Sequence, residues 1–400
     1  MAGQGHGHTK VDMLASLGNR IGLVLLGFLG WLLVTFFAGL QAGLLVVIGI
    51  GFGTVLQGCR FGFTSAWRAF MLQKQTAGIT GQMLLMALAS LIAIPMIAGN
   101  PKEIYGAVAP IGWSLLIGAF VFGIAMQLAD GCGSGSLNRA GEGAPLSWVV
   151  LPTFVFGSFV GAAHQPAWIA LGGPLDFLAA DASQGLRVDL LQIFGLWPAM
   201  VITLGACLAV TWGFVAYSKR TEPSAHVHKG PQQGPFVRHW LIGGALLALL
   251  YGLHLAVAGQ PWGIVYGLGL WGAKIAVALG ADLSADPFWS DPSHAQRVID
   301  PVLWDITTLT NIGLLFGAMA ASRWRVKADA SKRPILPRHW IAGALAGLVL
   351  GYTSRLAFGC NIGGFLGGVA SASLHGWVWF LAAYLGSMIG VRLRLRLQMP

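Results

Sequence analysis

From Ile21 to Gly39, and again from Ile79 to Ala98, the chain carries no charged side chain. Runs of roughly 20 apolar residues match the hydrocarbon thickness of a bilayer when wound as an α-helix. Inside lipid the backbone must satisfy its own hydrogen bonds, so such runs can only be helices or the strands of a closed barrel, and their length selects helices. Further runs of the same character recur along the sequence, giving 56% hydrophobic and 10% charged residues over 400 positions. Soluble domains carry about 45–50% and about 25%. The chain therefore reads as an all-α polytopic membrane protein. Its 58 glycines fit that class, because small residues let membrane helices approach closely. The net charge of +10 comes from bases gathered in a few loops, which sets topology and implies no nucleic-acid partner.

One phrase interrupts the apolar runs three times. Gly58-Cys59-Arg60-Phe61-Gly62, Gly131-Cys132-Gly133-Ser134-Gly135 and Gly359-Cys360-Asn361-Ile362-Gly363 all spell GCxxG. Gln260-Pro261-Trp262-Gly263 has similar surroundings without sulfur. Glycine beside cysteine allows a sharp turn and a close approach to whatever the thiol touches. These four places are expected to be re-entrant, discontinuous helix ends meeting near the bilayer midplane, in two related halves.

Counting bases per loop gives the expected order. Residues 1–20 form a disordered cytoplasmic tail holding His6 and His8, and Ile21–Gly39 is a retained first span rather than a cleaved signal. Residues 21–216 form the N-terminal membrane half, with an external loop around Asp176, Asp181 and Asp189. Residues 217–238, with Pro223, Pro231, His226 and His228, form a cytoplasmic linker, and 239–400 form the second half, with an acidic external segment near 282–300. Both termini are expected inside. On this count the first two GCxxG turns enter from the cytoplasm, and the Pro261-Trp262-Gly263 turn and the third GCxxG from outside.

Half-helices that begin at such turns aim free N–H groups and positive dipole ends at the opening, so the expected guest is an anion. Arg60, Arg139 and Arg355 could draw it in or, for the first two, merely set topology. Arg355 sits within an apolar run, where an ionisable group is a functional hint. Soft, polarizable thiols suit a sulfur- or selenium-bearing solute better than phosphate. The alternative is a thiol-based metal or redox membrane protein, although the four cysteines form no CxxC or metal-ligand spacing. Cys207 reads as a small buried hydrophobe, and Asp130 as either a coupling residue or a helix-end residue. There is no nucleotide-binding signature and no nucleophile with a paired base, so neither an enzyme, nor a cofactor, nor a bound metal is expected.

At these residues the chain resembles the YeeE/YedE family of bacterial inner-membrane sulphur-transport proteins, through the three GCxxG turns, the Pro261-Trp262-Gly263 turn and the linker between halves. The resemblance implies an hourglass-shaped helical transporter in the inner membrane that takes up thiosulfate, with some members associated with selenium. It implies a substrate path along Cys59, Cys132 and Cys360, framed by Gly58, Gly62, Gly131, Gly133, Gly135, Gly359 and Gly363 and joined by Pro261, Trp262, Gly263 and Arg355. It also implies a small TusA-like sulfurtransferase as a cytoplasmic partner.

Overall fold

The computed structural model describes residues 10–174, 177, 185–221, 235–324 and 334–399. The expectations for His6, His8, Asp176, Asp181, Pro223, His226, His228 and Pro231 lie outside the described residues. Among the described residues the structure is helical, with one isolated antiparallel bridge between Asp189 and Ser373. Eight of the described helical segments are long and apolar enough to cross a membrane.

The first helix, α1 (Lys10–Gly58), begins inside the stretch expected to be a disordered tail, so helix extends eleven residues further toward the N-terminus than the charge pattern suggested. It is two helices joined at Gly39, whose φ of 88° only glycine adopts without strain. The chain doubles back there. Gly43 faces Trp31 and Thr35 across the bend, and Gly27 and Gly49 both reach α12 (Ile306–Trp324), at Phe316 and Thr310 respectively. The short apolar run of residues 44–56 is thus part of a near-complete crossing.

Next come α2 (Phe63–Gln73) and α3 (Ala77–Gly99), which run antiparallel, since Trp67 Nε1 donates to Gln82 Oε1 at 2.9 Å and Gly78 lies against Ala66. The chain continues through α4 (Trp113–Leu128), α5 (Gly133–Glu142) and α6 (Ser147–Ala170). A single turn, α7 (Leu190–Phe194), capped by Asp189, leads into α8 (Leu196–Arg220). After the linker, α9 (Pro235–Ala258) and α10 (Val265–Ala278) flank the Pro261-Trp262-Gly263 turn. The expected acidic loop contains α11 (Pro292–Ile299) and precedes α12. Then α13 (Pro337–Leu356), a π-helical turn (Asn361–Leu366), α14 (Gly367–Ala370) and α15 (Leu374–Arg396) close the chain.

Backbone contact between these helices depends on glycines four apart. Gly49 and Gly53 of α1 meet Gly313 and Gly317 of α12, and Gly157 and Gly161 of α6 meet the α13 backbone beside Gly347 and Gly351. A Cβ at Gly313 or Gly317 would overlap a facing carbonyl oxygen. Lipid offers no hydrophobic drive between helices, so such close van der Waals contact has to hold them. Apolar side chains on the first arm of α1, such as Leu25, Leu26 and Phe37, point outward, as a lipid-facing surface requires.

Candidate functional site

Each GCxxG breaks a helix, and the backbone uses one device three times. Leu56, Met126 and Ser354 carbonyls accept from the N–H five residues on, at Phe61 (2.9 Å), Gly131 (3.1 Å) and Gly359 (2.8 Å). The residue before each donor is left-handed: Arg60 (φ 50°), Asp130 (φ 58°) and Phe358 (φ 56°). This is the Schellman closure of a helix end, formed here by non-glycine residues that carry strain in that region. The next helix then starts at an N-cap with extended backbone: Gly62, Cys132 or Cys360.

Superposed on that device, the three motifs are not equivalent, which corrects the sequence reading of one shared frame. Cys132 and Cys360 are N-caps, at the position that Gly62 holds in the first turn. Cys59 instead occupies the place of Ala129 and Ala357; each donates its N–H to the residue four back, at 2.9 Å. The first motif is shifted because its αL residue follows the cysteine, whereas in the others it precedes the first glycine.

The shift decides what each thiol meets. Cys132 and Cys360 are neighbours across two helix breaks, Gly133, next to Cys132, lying against Cys360, and each cysteine stands at the N-cap of its own helix start. Cys132 Sγ also contacts Ser134 Oγ at 3.3 Å. Neither helix start has a side-chain cap, so its N–H groups and dipole are directed at this pair. Gly133 makes the closeness possible, for a Cβ there would stand 3.3 Å from Cys360 Sγ and 3.2 Å from Ile264 Cγ2. Cys59 is half-buried and packs on α9, where a Cβ on Gly243 would come 2.9 Å from Cys59 Cβ. The structure does not bring it into the Cys132–Cys360 pair.

The Pro261-Trp262-Gly263 turn belongs to the same neighbourhood. Gly259 holds Tyr105 N–H at 3.0 Å, and the chain then dips so that Trp262 stacks flat on Phe52, 3.6 Å between centroids. Ile264, at the end of the turn, accepts from Asn311 Nδ2 at 2.9 Å and touches Gly133. A Cβ on Gly367 would lie 3.8 Å from Pro261 Cβ. Gly58 and Gly263 have open space where a Cβ would go, and Gly363 nearly so.

Several buried polar atoms here have no partner in the protein: both amide atoms of Asn361, Asn311 Oδ1, Trp262 Nε1 and Arg355 Nε. Native proteins pair most such atoms, so these are open to a further polar partner. Sequence reading named Trp262 and Arg355 but missed Asn311 and Asn361. An asparagine directly after the third cysteine was the one available signal. It also missed the anchor of the second turn: Asp130 binds Arg68 at 2.6 Å and Arg394 at 3.3 Å, and pairs with Arg139. Arg139 is thereby engaged with a carboxylate, while Arg60 stays exposed. Cys207 is buried in the core, as a small hydrophobe would be.

Fold and site together define an all-α, multi-pass membrane protein whose helices break around a buried polar centre. The chain belongs to the sulphur transport family, which it matches over residues 58–389. It is 27% identical to the thiosulfate transporter TsuA of Spirochaeta thermophila over 355 residues, 86% of this chain and 96% of that protein. The TsuA of Escherichia coli is 25% identical over 352 residues, 85% of this chain and 91% of that protein. The probable transporter YedE of Escherichia coli is 29% identical over 204 residues, 50% of this chain and 47% of that protein. The family is one of transporters, not enzymes.

Proposed function

We propose that this chain imports thiosulfate, or a closely related sulfur-containing anion, through the bacterial inner membrane, with both termini in the cytoplasm. The observation that carries this reading is that Cys132 and Cys360 stand at two uncapped helix starts packed together, a Cβ on Gly133 falling 3.3 Å from Cys360 Sγ. An anion held there has N–H groups and positive dipole ends for its charge and two soft sulfurs for its own sulfur. Cys132 and Cys360 act as one central station, and Cys59, against α9, is a separate one. Gly58, Gly62, Gly131, Gly135, Gly359 and Gly363 form the turns, Gly133 brings the pair together, and Pro261, Trp262 and Gly263 close one wall. The names of the TsuA relatives support thiosulfate as the solute. A TusA-like sulfurtransferase on the cytoplasmic side would accept the imported sulfur.

The test is uptake of labelled thiosulfate in cells lacking their own transporter, competed with sulfate, sulfite and selenite. Cys132→Ser and Cys360→Ser should each reduce uptake at least about tenfold, equivalent to about 1.4 kcal/mol on the barrier, while the folded protein stays in the membrane. Near-normal uptake by either variant refutes the central station. Selenite outcompeting thiosulfate moves the solute to selenium. The adjacency of the two cysteines also favours a redox reading, in which a partner's disulfide takes the two electrons and two protons of the pair by thiol–disulfide exchange, leaving Cys132–Cys360 oxidised and the partner as a dithiol. Full uptake by protein whose four thiols stay free throughout excludes it.

A further inference from the structure

The segment near 282–300 looked acidic in sequence, yet it turns its acids to its own backbone and its bases inward. Asp286 Oδ1 accepts from the N–H groups of Phe288 and Trp289 at 2.9 and 2.8 Å, and Asp291 caps α11. Trp289, 1% exposed, plugs the segment into α6 and α10, its Nε1 donating to Phe159 O at 3.3 Å. Lys274 fastens the far end by donating to the carbonyls of Val298 (2.8 Å) and Asp300 (2.5 Å). This fixed brim carries His294 and Arg297 over Arg355.

Arg355 is 8% exposed and forms no ion pair among the described residues, and its Nε has no partner. Its guanidinium lies 4.7 Å from the Phe288 ring centroid and 5.6 Å from that of Tyr266. Arg297 reaches the same Tyr266 ring at 5.0 Å, with Asp305 as its carboxylate at 3.8 Å. His294 stacks on Phe288 at 4.1 Å between centroids, and its Nδ1 meets Tyr266 Oη at 3.1 Å. Two guanidiniums and an imidazole thus gather around the Tyr266 and Phe288 rings, and of the two guanidiniums only Arg297 has a carboxylate partner, Asp305. Burying a charge without a partner is costly, and stacking on aromatic rings offsets only part of that cost. Such a cluster is complementary to an anion, and guanidinium forks suit a tetrahedral oxyanion.

We propose that Arg355, Arg297 and His294, held by the 282–300 brim, form a receiving site for a small divalent sulfur oxyanion, five residues up the chain from Cys360. The site deepens the transport reading, which supplies the identity of the anion, but its existence rests on the cation cluster alone. Arg355 provides the buried charge, Arg297 the exposed one that captures from solution, and His294 a ring N–H.

The test is isothermal titration of the purified full-length protein with thiosulfate, sulfate and chloride, beside uptake into proteoliposomes. Wild type should bind the two dianions and not chloride. Arg297→Gln should weaken dianion binding about tenfold, the weight of one screened charge against two at about 6 Å. Arg297→Lys should recover most of it. Because Arg297 pairs with the 4% exposed Asp305, its loss should lower the melting temperature modestly, and Arg297→Lys, which keeps a charge beside that carboxylate, separates this effect from lost binding. Equal dianion affinity in wild type and Arg297→Gln, or no dianion binding by wild type, overturns the proposal. Dianion binding that needs Arg297, without uptake of any solute, would leave the site standing and overturn the transport reading.

Discussion

Replacing Asp130 by asparagine should be among the most destabilising single changes in this chain. Three guanidiniums from three helices converge on this carboxylate: Arg68 of α2, Arg139 of α5 and Arg394 of α15. Asp130 is 12% exposed, Arg394 9% and Arg68 19%, so two of the three contacts lie largely out of water. A pair of unit charges at about 4 Å is attracted by about 4 kcal/mol at an effective dielectric of 20. Repulsion among the arginines and the cost of desolvation cancel much of that. Removing one member of a buried pair typically costs about 3–5 kcal/mol, because the other charges stay buried without a counter-charge. Arg139, 37% exposed, adds little to that figure. Asparagine is a sharp probe, since it keeps the size and the tolerance for the left-handed φ of 58°. The expected loss is therefore electrostatic, about 3 kcal/mol. Thermal unfolding in detergent would read it as a lowered midpoint, with uptake falling in step because Asp130 sets the turn that presents Cys132. Adding Arg139→Gln to Asp130→Asn should restore part of the midpoint by removing one surplus charge. An Asp130→Asn protein with an unchanged midpoint, or a double variant no better than the single, would show that the cluster does not hold the turn.

Gly133→Ala should leave stability within about 1 kcal/mol, helix propensity offsetting overpacking, yet cut uptake several-fold, because the new methyl presses on Cys360 Sγ and Ile264. Gly363→Ala, whose Cβ would have ordinary room 4.0 Å from Phe358 O, should transport nearly normally, and equal losses in the two would refute the argument from contact. At Gly39, whose φ of 88° leucine adopts only with strain, Gly39→Leu should lower the melting temperature. His294 should make dianion affinity depend on pH. Burial, then the Arg355 guanidinium, holds its pKa below the ordinary value, with Arg297 acting the same way and Asp291 opposing. The ring is therefore neutral in the free protein at neutral pH and gains a proton more readily with an anion beside it. Affinity should rise on acidification and level off once the pH falls below the lowered pKa of the free ring, and His294→Gln should flatten that slope in the same titration calorimetry.

What the residues alone determined was the class and the places where helices break. Uncharged runs of bilayer length admit only helices, and the GCxxG and Pro261-Trp262-Gly263 interruptions mark the breaks, because both facts are local to a few consecutive residues. Local patterns also suggested one shared frame for three cysteines. The tertiary structure decided otherwise, since a three-residue shift of the position that turns left-handed moves Cys59 to a helix end and leaves Cys132 and Cys360 at helix starts. The same holds for charge. Counting bases and acids by loop reads 282–300 as acidic and Asp130 as solitary, but Asp286 and Asp291 cap backbone while Arg297 and His294 turn to Arg355, and Arg394 arrives beside Asp130 from 264 positions away. Which charges meet depends on side-chain direction and helix packing across the whole chain, and neither is encoded within a sequence window.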